Sequence, residues 1–181
     1  IALMPVKFGI SFNAPMLNQA GALVHVYTDG SVHLNHGGTE MGQGLFVKMA
    51  QVVSSVFQID IDHVKISATR TDKVPNTAPT AASAGSDLNG MAAFNAAEEI
   101  RGRMAGVAAE HFDVSPDDIE FRQNRVYAGN ESLSFAETAQ LTWSQRVSLS
   151  ATGYYRTPDI HWDAETMTGS PFYYFTYGAS I

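Results

Sequence analysis

Apolar and polar positions alternate most clearly over residues 22–34. Ala22, Val24 and Val26 are interleaved with Leu23, His25 and Tyr27, and Val32-His33-Leu34 resumes the pattern after Asp29-Gly30. An Asp-Gly pair between two alternating runs predicts a hairpin. His25 and His33 then share one face, opposite Val24, Val26, Val32 and Leu34. Further on, Leu45, Met49, Val52, Val53 and Val56 recur at helical spacing and predict a helix that begins near Gln43. A second, longer helix is predicted to open over residues 80–83 and to end near His111-Phe112. Its buried stripe is Leu88, Met91, Ala92, Ala96, Ile100, Met104 and Val107, and Asp87 places negative charge in its first turn. Gly85, Gly90, Gly102 and Gly106 lie inside it, each costing about 1 kcal/mol against alanine. So many small residues imply a close backbone contact on one face.

Shorter elements fill the rest. Residues 7–12 and 63–68 read as strands, the first followed by a loop at Asn13-Ala14-Pro15, the second by a loop carrying Pro75 and Pro79. A second hairpin is expected from residues 119–121 and 125–127 across Gln123-Asn124. Ser134 is a suitable cap for a short helix to about Trp143, with Glu137 in the capping-box position. Residues 147–155 and 172–181 read as strands, and residues 159–171 as a polar loop. Strands and helices interleave, which predicts an α+β fold: a mixed, largely antiparallel sheet with two main helices packed on one face. No linker, low-complexity tract or short repeat divides the chain. Residues 1–181 therefore read as part of one domain, with uncapped ends that suggest truncation at both.

Composition narrows the function. The 181 residues suffice for a domain with a real core. A net charge of -7 argues against nucleic-acid or anionic-membrane binding, both of which need concentrated positive charge. No apolar run approaches the ~20 residues of a membrane span, no secretory signal is visible, and a cytoplasmic location is expected. The chain has no cysteine, which removes disulfides, thiolate nucleophiles and cysteine-ligated iron–sulfur clusters from this segment. His25, His33 and His36 lack a carboxylate or thiolate to complete a metal set.

The densest chemistry lies at His36-Gly37-Gly38-Thr39-Glu40-Met41-Gly42-Gln43-Gly44, between a strand and a helix. Glycines there allow positive φ and close backbone approach, and the helix start beyond them offers unpaired N–H donors. The stretch predicts an anion-binding corner, or a tight turn with no ligand. It completes neither a Walker loop nor the dinucleotide fingerprint, since Leu45, Phe46 and Val47 follow Gly44. Thr80-Ala81-Ala82-Ser83 forms a second small-residue corner that could face the first.

Residues 37–44 resemble the signature loop of the molybdenum hydroxylases, and Val74-Pro75-Asn76-Thr77-Ala78-Pro79 with the following residues to Asp87 resembles its partner loop in the xanthine dehydrogenases of that family. Residues 7–12, 153–158 and 171–175 are similar as well, so the likeness runs from end to end. The resemblance implies a molybdopterin-held molybdenum cofactor touched by Met41, Gly42, Gln43, Gly44, Thr80, Ala81, Ala82 and Ser83. Ala82 would lie against the metal without ligating it. Phe12 and Asn13 would line the slot for a purine, although a phenylalanine in an apolar strand, taken alone, reads as core, and asparagine stands where other members of the family carry threonine. The implied reaction is hydroxylation of hypoxanthine and xanthine at an electron-poor carbon, with water as oxygen source. Electrons would leave to iron–sulfur clusters and FAD on other segments or subunits of an oligomeric enzyme. The family's glutamate base sits in a motif absent here, so no catalytic residue is assigned and the chain alone is expected to be inactive. Aldehyde oxidase-type hydroxylation and a non-catalytic pterin- or nucleotide-binding module are the alternatives.

Overall fold

The structure, a computed structural model, describes residues 1–67, 69–74 and 76–181. Ala68, the expected end of one strand, and the loop residue Pro75 lie outside the described residues. In chain order the elements are β1 (Met4–Ile10), β2 (Gln19–Val26), β3 (Val32–His36), α1 (Leu45–Phe57), β4 (Val64–Ile66) and α2 (Gly85–Phe112). They are followed by β5 (Ile119–Arg122), β6 (Arg125–Ala128), β7 (Glu131–Ser134), α3 (Phe135–Ser144), β8 (Ser150–Arg156), β9 (His161–Asp163), β10 (Thr168–Ser170) and β11 (Tyr174–Ser180).

The central sheet has the order β4-β3-β2-β8, antiparallel except for the β3–β4 pair. Its β2–β3 hairpin is the predicted one. Val24 pairs with Leu34 and Val26 with Val32 on the buried face, while His25 pairs with His33 on the other, their rings stacked 6.2 Å apart. Both main helices pack on the buried face and share one core, in which Val24, Leu34, Met49, Phe57, Ile100 and Met104 are all but inaccessible. The α+β expectation holds.

The close backbone contact expected of α2 is real, but its own glycines do not make it. A Cβ built on Gly153 of β8 would lie 1.9 Å from the carbonyl oxygen of Ala92 and 2.6 Å from the amide nitrogen of Ala96, so strand and helix meet backbone to backbone. Gly102 and Gly106 face open space. Alanine at 92, 93, 96 and 97, fully buried, keeps the helix flat enough for this approach. Asn95 and Arg103 tie the same helix to the Tyr154 and Ser150 carbonyls at 2.9 Å each.

A smaller sheet, β5-β6-β7, carries α3. Its Gln123-Asn124 turn has positive φ at both residues, the two-residue hairpin geometry, and Asn124 also donates its backbone N–H to the Gln58 carbonyl after α1. The Ser134–Glu137 capping box is present in full.

Several boundaries differ from expectation for identifiable reasons. β1 stops at Ile10, two residues short of Phe12, because Ser11 turns to φ 130° and the Asn18 side chain takes both the N–H and the carbonyl of Phe12 away from any ladder. α2 starts at Gly85, and residues 80–83 are not helical, since Ala82 and Ser83 both adopt φ 53°. Met91 is 39% exposed and lies off the stripe. β8 starts at Ser150 because Val147 donates back to Thr142 to close α3. Residues 159–171 hold a hairpin, β9–β10, turned by Asp163, whose Oδ1 accepts from the Glu165 and Thr166 amides. β7 was also unexpected, because its Glu-Ser-Leu-Ser carries almost no apolar signal. β1 and β11 pair with each other as a ribbon apart from both sheets.

The contrast between the glycines is testable. Gly153→Ala should lower the melting temperature of the protein steeply, by the cost of an overpacked core, about 1–3 kcal/mol or more. Gly102→Ala, in open space within a helix, should raise stability by about 0.5–1 kcal/mol. Equal effects in calorimetry would show that the strand–helix approach is not tight.

Candidate functional site

The two small-residue corners do face one another. Thr39 at the base of the glycine loop donates its N–H to the Thr80 hydroxyl at 2.8 Å, joining the loops directly. Between them lies a cleft of about 350 Å³ lined by Met41, Gln43, Thr80, Ala81 and Ser83, together with Leu45, Lys48, Gly85 and Ser86. Gly42 and Gly44 shape the loop from outside the lining, with φ of 93° and 75°.

The glycine loop is not an open anion trap, however. Glu40 folds back over it, one carboxylate oxygen accepting from the amides of Gly42 (2.8 Å) and Gly44 (3.1 Å), the other from Phe46 (3.0 Å). Those bonds, that from Phe46 foremost, hold the Glu40 carboxyl below the usual glutamate range. Gln43 closes the same turn from its other side. Its Oε1 accepts from the Met41 amide at 2.6 Å and its Nε2 donates to the Thr39 carbonyl at 2.9 Å. By contrast no side chain caps α2, so its first turn offers open backbone N–H groups at the cleft wall.

Ala82 points elsewhere. It lines a second cleft, of about 490 Å³, with Phe12, Asn13, Phe172 and Phe175. The 81–83 turn is thus shared between two spaces, Ala81 and Ser83 on the side that holds the polar groups of Gln43, Lys48, Thr80 and Ser86, and Ala82 on the aromatic side. Phe12 is half-buried and Asn13 exposed, neither of them core. Asn18, 2% exposed, places them by pairing both backbone groups of Phe12, at 2.7 and 2.9 Å. Tyr174 of β11 donates to Asp87 in the first turn of α2 at 3.0 Å and so fixes the ribbon beside the wall. A further groove, between α1 and α2 and lined by Gln51, Phe94 and Arg101 among others, holds none of the expected residues.

Sequence reasoning missed Lys48, which makes no ion pair among the described residues. Its signal was available: it lies one helical turn after Gly44, on the end of α1 that meets the loop. The three histidines do not meet. His25 and His33 stack on the outer face, while His36 is 1% exposed, with Nδ1 accepting from the Gly38 amide and its ring edge-on to Phe46 at 5.1 Å. Among the described residues no group of His, Cys, Asp and Glu could hold a metal ion, so a metal here would bring its own ligands. The polar cleft suits such a group. It offers one cation, an amide, hydroxyls and a backbone wall of small residues, matched to a polar ring bearing anionic substituents.

The model of the molybdopterin cofactor-binding domain family matches residues 1–181, so the chain is a cofactor-binding domain and belongs to that family. It is 50% identical over 181 residues to the xanthine dehydrogenase of Oryza sativa subsp. japonica, and 47% identical over 180 residues to the xanthine dehydrogenase/oxidase of Felis catus. Those matches cover 100% and 99% of this chain but 12% of the length of each relative. Among solved structures, the CO dehydrogenase of Oligotropha carboxidovorans superposes with a TM-score of 0.79 at 21% identity, over 98% of this chain and 22% of that one. Quinoline 2-oxidoreductase from Pseudomonas putida 86 does so with a TM-score of 0.74 at 19% identity, over 92% of this chain and 25% of that one. At such identities these two show the fold alone.

Burial of His36 makes folding proton-sensitive. Desolvation lowers its pKa from the ordinary 6.5 to about 4. Between those values the unfolded chain binds a proton that the native state does not, so this contribution to stability is whole above pH 6.5 and is lost as pH falls toward 4. The melting temperature should fall across that window, and His36→Asn, whose Oδ1 can still accept from Gly38, should flatten the fall. An unchanged slope in the variant would assign the proton uptake to another group.

Proposed function

We propose that this chain forms one side of the molybdenum-cofactor cleft and of the substrate slot in a xanthine dehydrogenase-type hydroxylase. The observation that carries the reading is the 81–83 turn, which presents Ala81 and Ser83 to a polar cleft and Ala82 to an aromatic one. A cofactor on one side and a substrate on the other are then separated by small side chains and backbone only, so a reacting carbon can come close to a group held in the polar cleft. When bound, the cofactor supplies the two-electron oxidation that hydroxylates an electron-poor ring carbon with oxygen from water.

The chain's own residues bind and orient. Gln43, Thr80 and Ser83 present polar atoms to the cofactor side, with Lys48 as the positive charge and Met41 as the polarizable edge. Phe12, Phe172 and Phe175 give a flat purine ring an aromatic enclosure. Asn13, exposed at the mouth, offers an amide that can both donate to and accept from heterocyclic ring atoms. Proton abstraction falls to a residue beyond this chain, as do the iron–sulfur clusters and FAD that take the electrons. We further assign the protein to the cytoplasm as an oligomer. No helix among the described residues is long and apolar enough to cross a membrane.

Two measurements on the full-length protein test this. Acid oxidation should release a fluorescent pterin, and metal analysis should find about one molybdenum per chain; neither being present would end the reading. Phe12→Ala should leave the melting temperature nearly unchanged while lowering kcat/KM for xanthine several-fold to about tenfold, the worth of one aromatic contact. A large fall in melting temperature with near-normal kcat/KM would make Phe12 a packing residue instead.

A further inference from the structure

Resting on the cofactor reading above, we propose that Glu40 is the positioning residue of the polar cleft: its carboxylate closes the 40–46 turn from within and fixes the backbone that carries Met41 and Gln43 to the cleft wall. α1 begins at Leu45 behind an N-cap glycine that has no side chain to offer, so its first amides need an acceptor from elsewhere. Glu40 supplies it, reaching forward to Gly42, Gly44 and Phe46 with both carboxylate oxygens at 2.8 to 3.1 Å. Negative charge at that place is also favoured by the helix dipole.

The requirement is for a carboxylate in particular. Three donors converge on two oxygens, and a glutamine has one acceptor oxygen and would turn its own N–H groups toward the Phe46 amide. No ion pair competes for the charge, because neither Glu40 nor Lys48 forms one among the described residues. The stem of the loop is held from outside, by the Thr80 hydroxyl on Thr39 and by His36 on Gly38. Among the described residues, the hydrogen bonds to its tip come from inside, from Glu40 and Gln43. Glu40 occupies the amides of Gly42, Gly44 and Phe46, so those three are closed to a bound cofactor, which meets this loop chiefly through the Met41 and Gln43 side chains, with its anionic substituents left to the opposite wall and Lys48.

The test compares full-length wild type with Glu40→Gln and Glu40→Ala. Each is measured for hydrogen exchange in residues 41–47, for pterin and molybdenum content, and for melting temperature. Exchange in 41–47 should rise about tenfold or more, as charge-assisted bonds are lost, and pterin content should fall several-fold. Exchange across α2 should hold, and the melting temperature should fall by no more than a few degrees, as for the loss of a helix cap. Wild-type pterin content in both variants, with or without faster exchange, overturns the inference while leaving the cofactor reading intact. Loss of protection throughout α2 in both variants also overturns it, by assigning Glu40 to overall stability. Wild-type protein that carries no pterin removes the cofactor reading itself, and this inference with it.

Discussion

The approach of Gly153 to the backbone of α2 is the constraint from which the rest of the geometry follows. α2 runs for 28 residues, about 42 Å, and touches the central sheet where β8 has no side chain and the helix has only alanines. Once that contact is made, the helix can neither slide nor roll without meeting backbone atoms. Its first turn, and the 81–83 turn just ahead of it, are thereby set against the end of β3 and the glycine loop. α1 then closes over both, with Leu45 and Met49 filling the space between loop and core.

Polar ties complete what packing begins. The loops of the site are tied by side-chain hydrogen bonds: Phe12 by Asn18, Thr39 by Thr80, Gly38 by His36, Met41 by Gln43. The site is therefore assembled on loops yet anchored to buried groups, since Asn18 and His36 are among the least accessible polar side chains of the chain. Asn18 uses both ends of its amide in this way, whereas His36 is bonded through Nδ1 alone and its buried Nε2 has no partner among the described residues.

How far the sequence alone revealed this depended on the kind of signal. Elements with long periodicity were readable: the β2–β3 hairpin by its Asp-Gly turn, α1 by its stripe, α3 by its capping box. The ends of elements were not, because side chains decide them at a distance. Asn18 ends β1 from six residues away, and nothing in an alternating pattern announces that. α2 begins later than its composition suggests because two consecutive alanine and serine residues take left-handed backbone, a choice invisible to propensity. The glycine loop was found from its composition, but composition could not reveal that Glu40 already fills the amides of Gly42, Gly44 and Phe46. That the two corners meet was a possibility read from their small residues, and the Thr39–Thr80 bond and the shared cleft give it a physical basis. Lys48 went unnoticed because a single lysine in a helix usually means solvent.

The 81–83 turn stands under opposed demands. Ala82 and Ser83 sit side by side at φ 53°, a conformation that costs a residue with a Cβ of order 1 kcal/mol and that glycine adopts freely. Glycine at either place would relax the chain, but it would also strip the methyl group from the aromatic side of the wall or the hydroxymethyl from the polar side. Stability and site shape are thus in direct conflict over two residues, and the fold settles the conflict in favour of shape. A domain built on this wall would trade thermal robustness for the separation of its two spaces, and selection for heat resistance alone would erode the turn first.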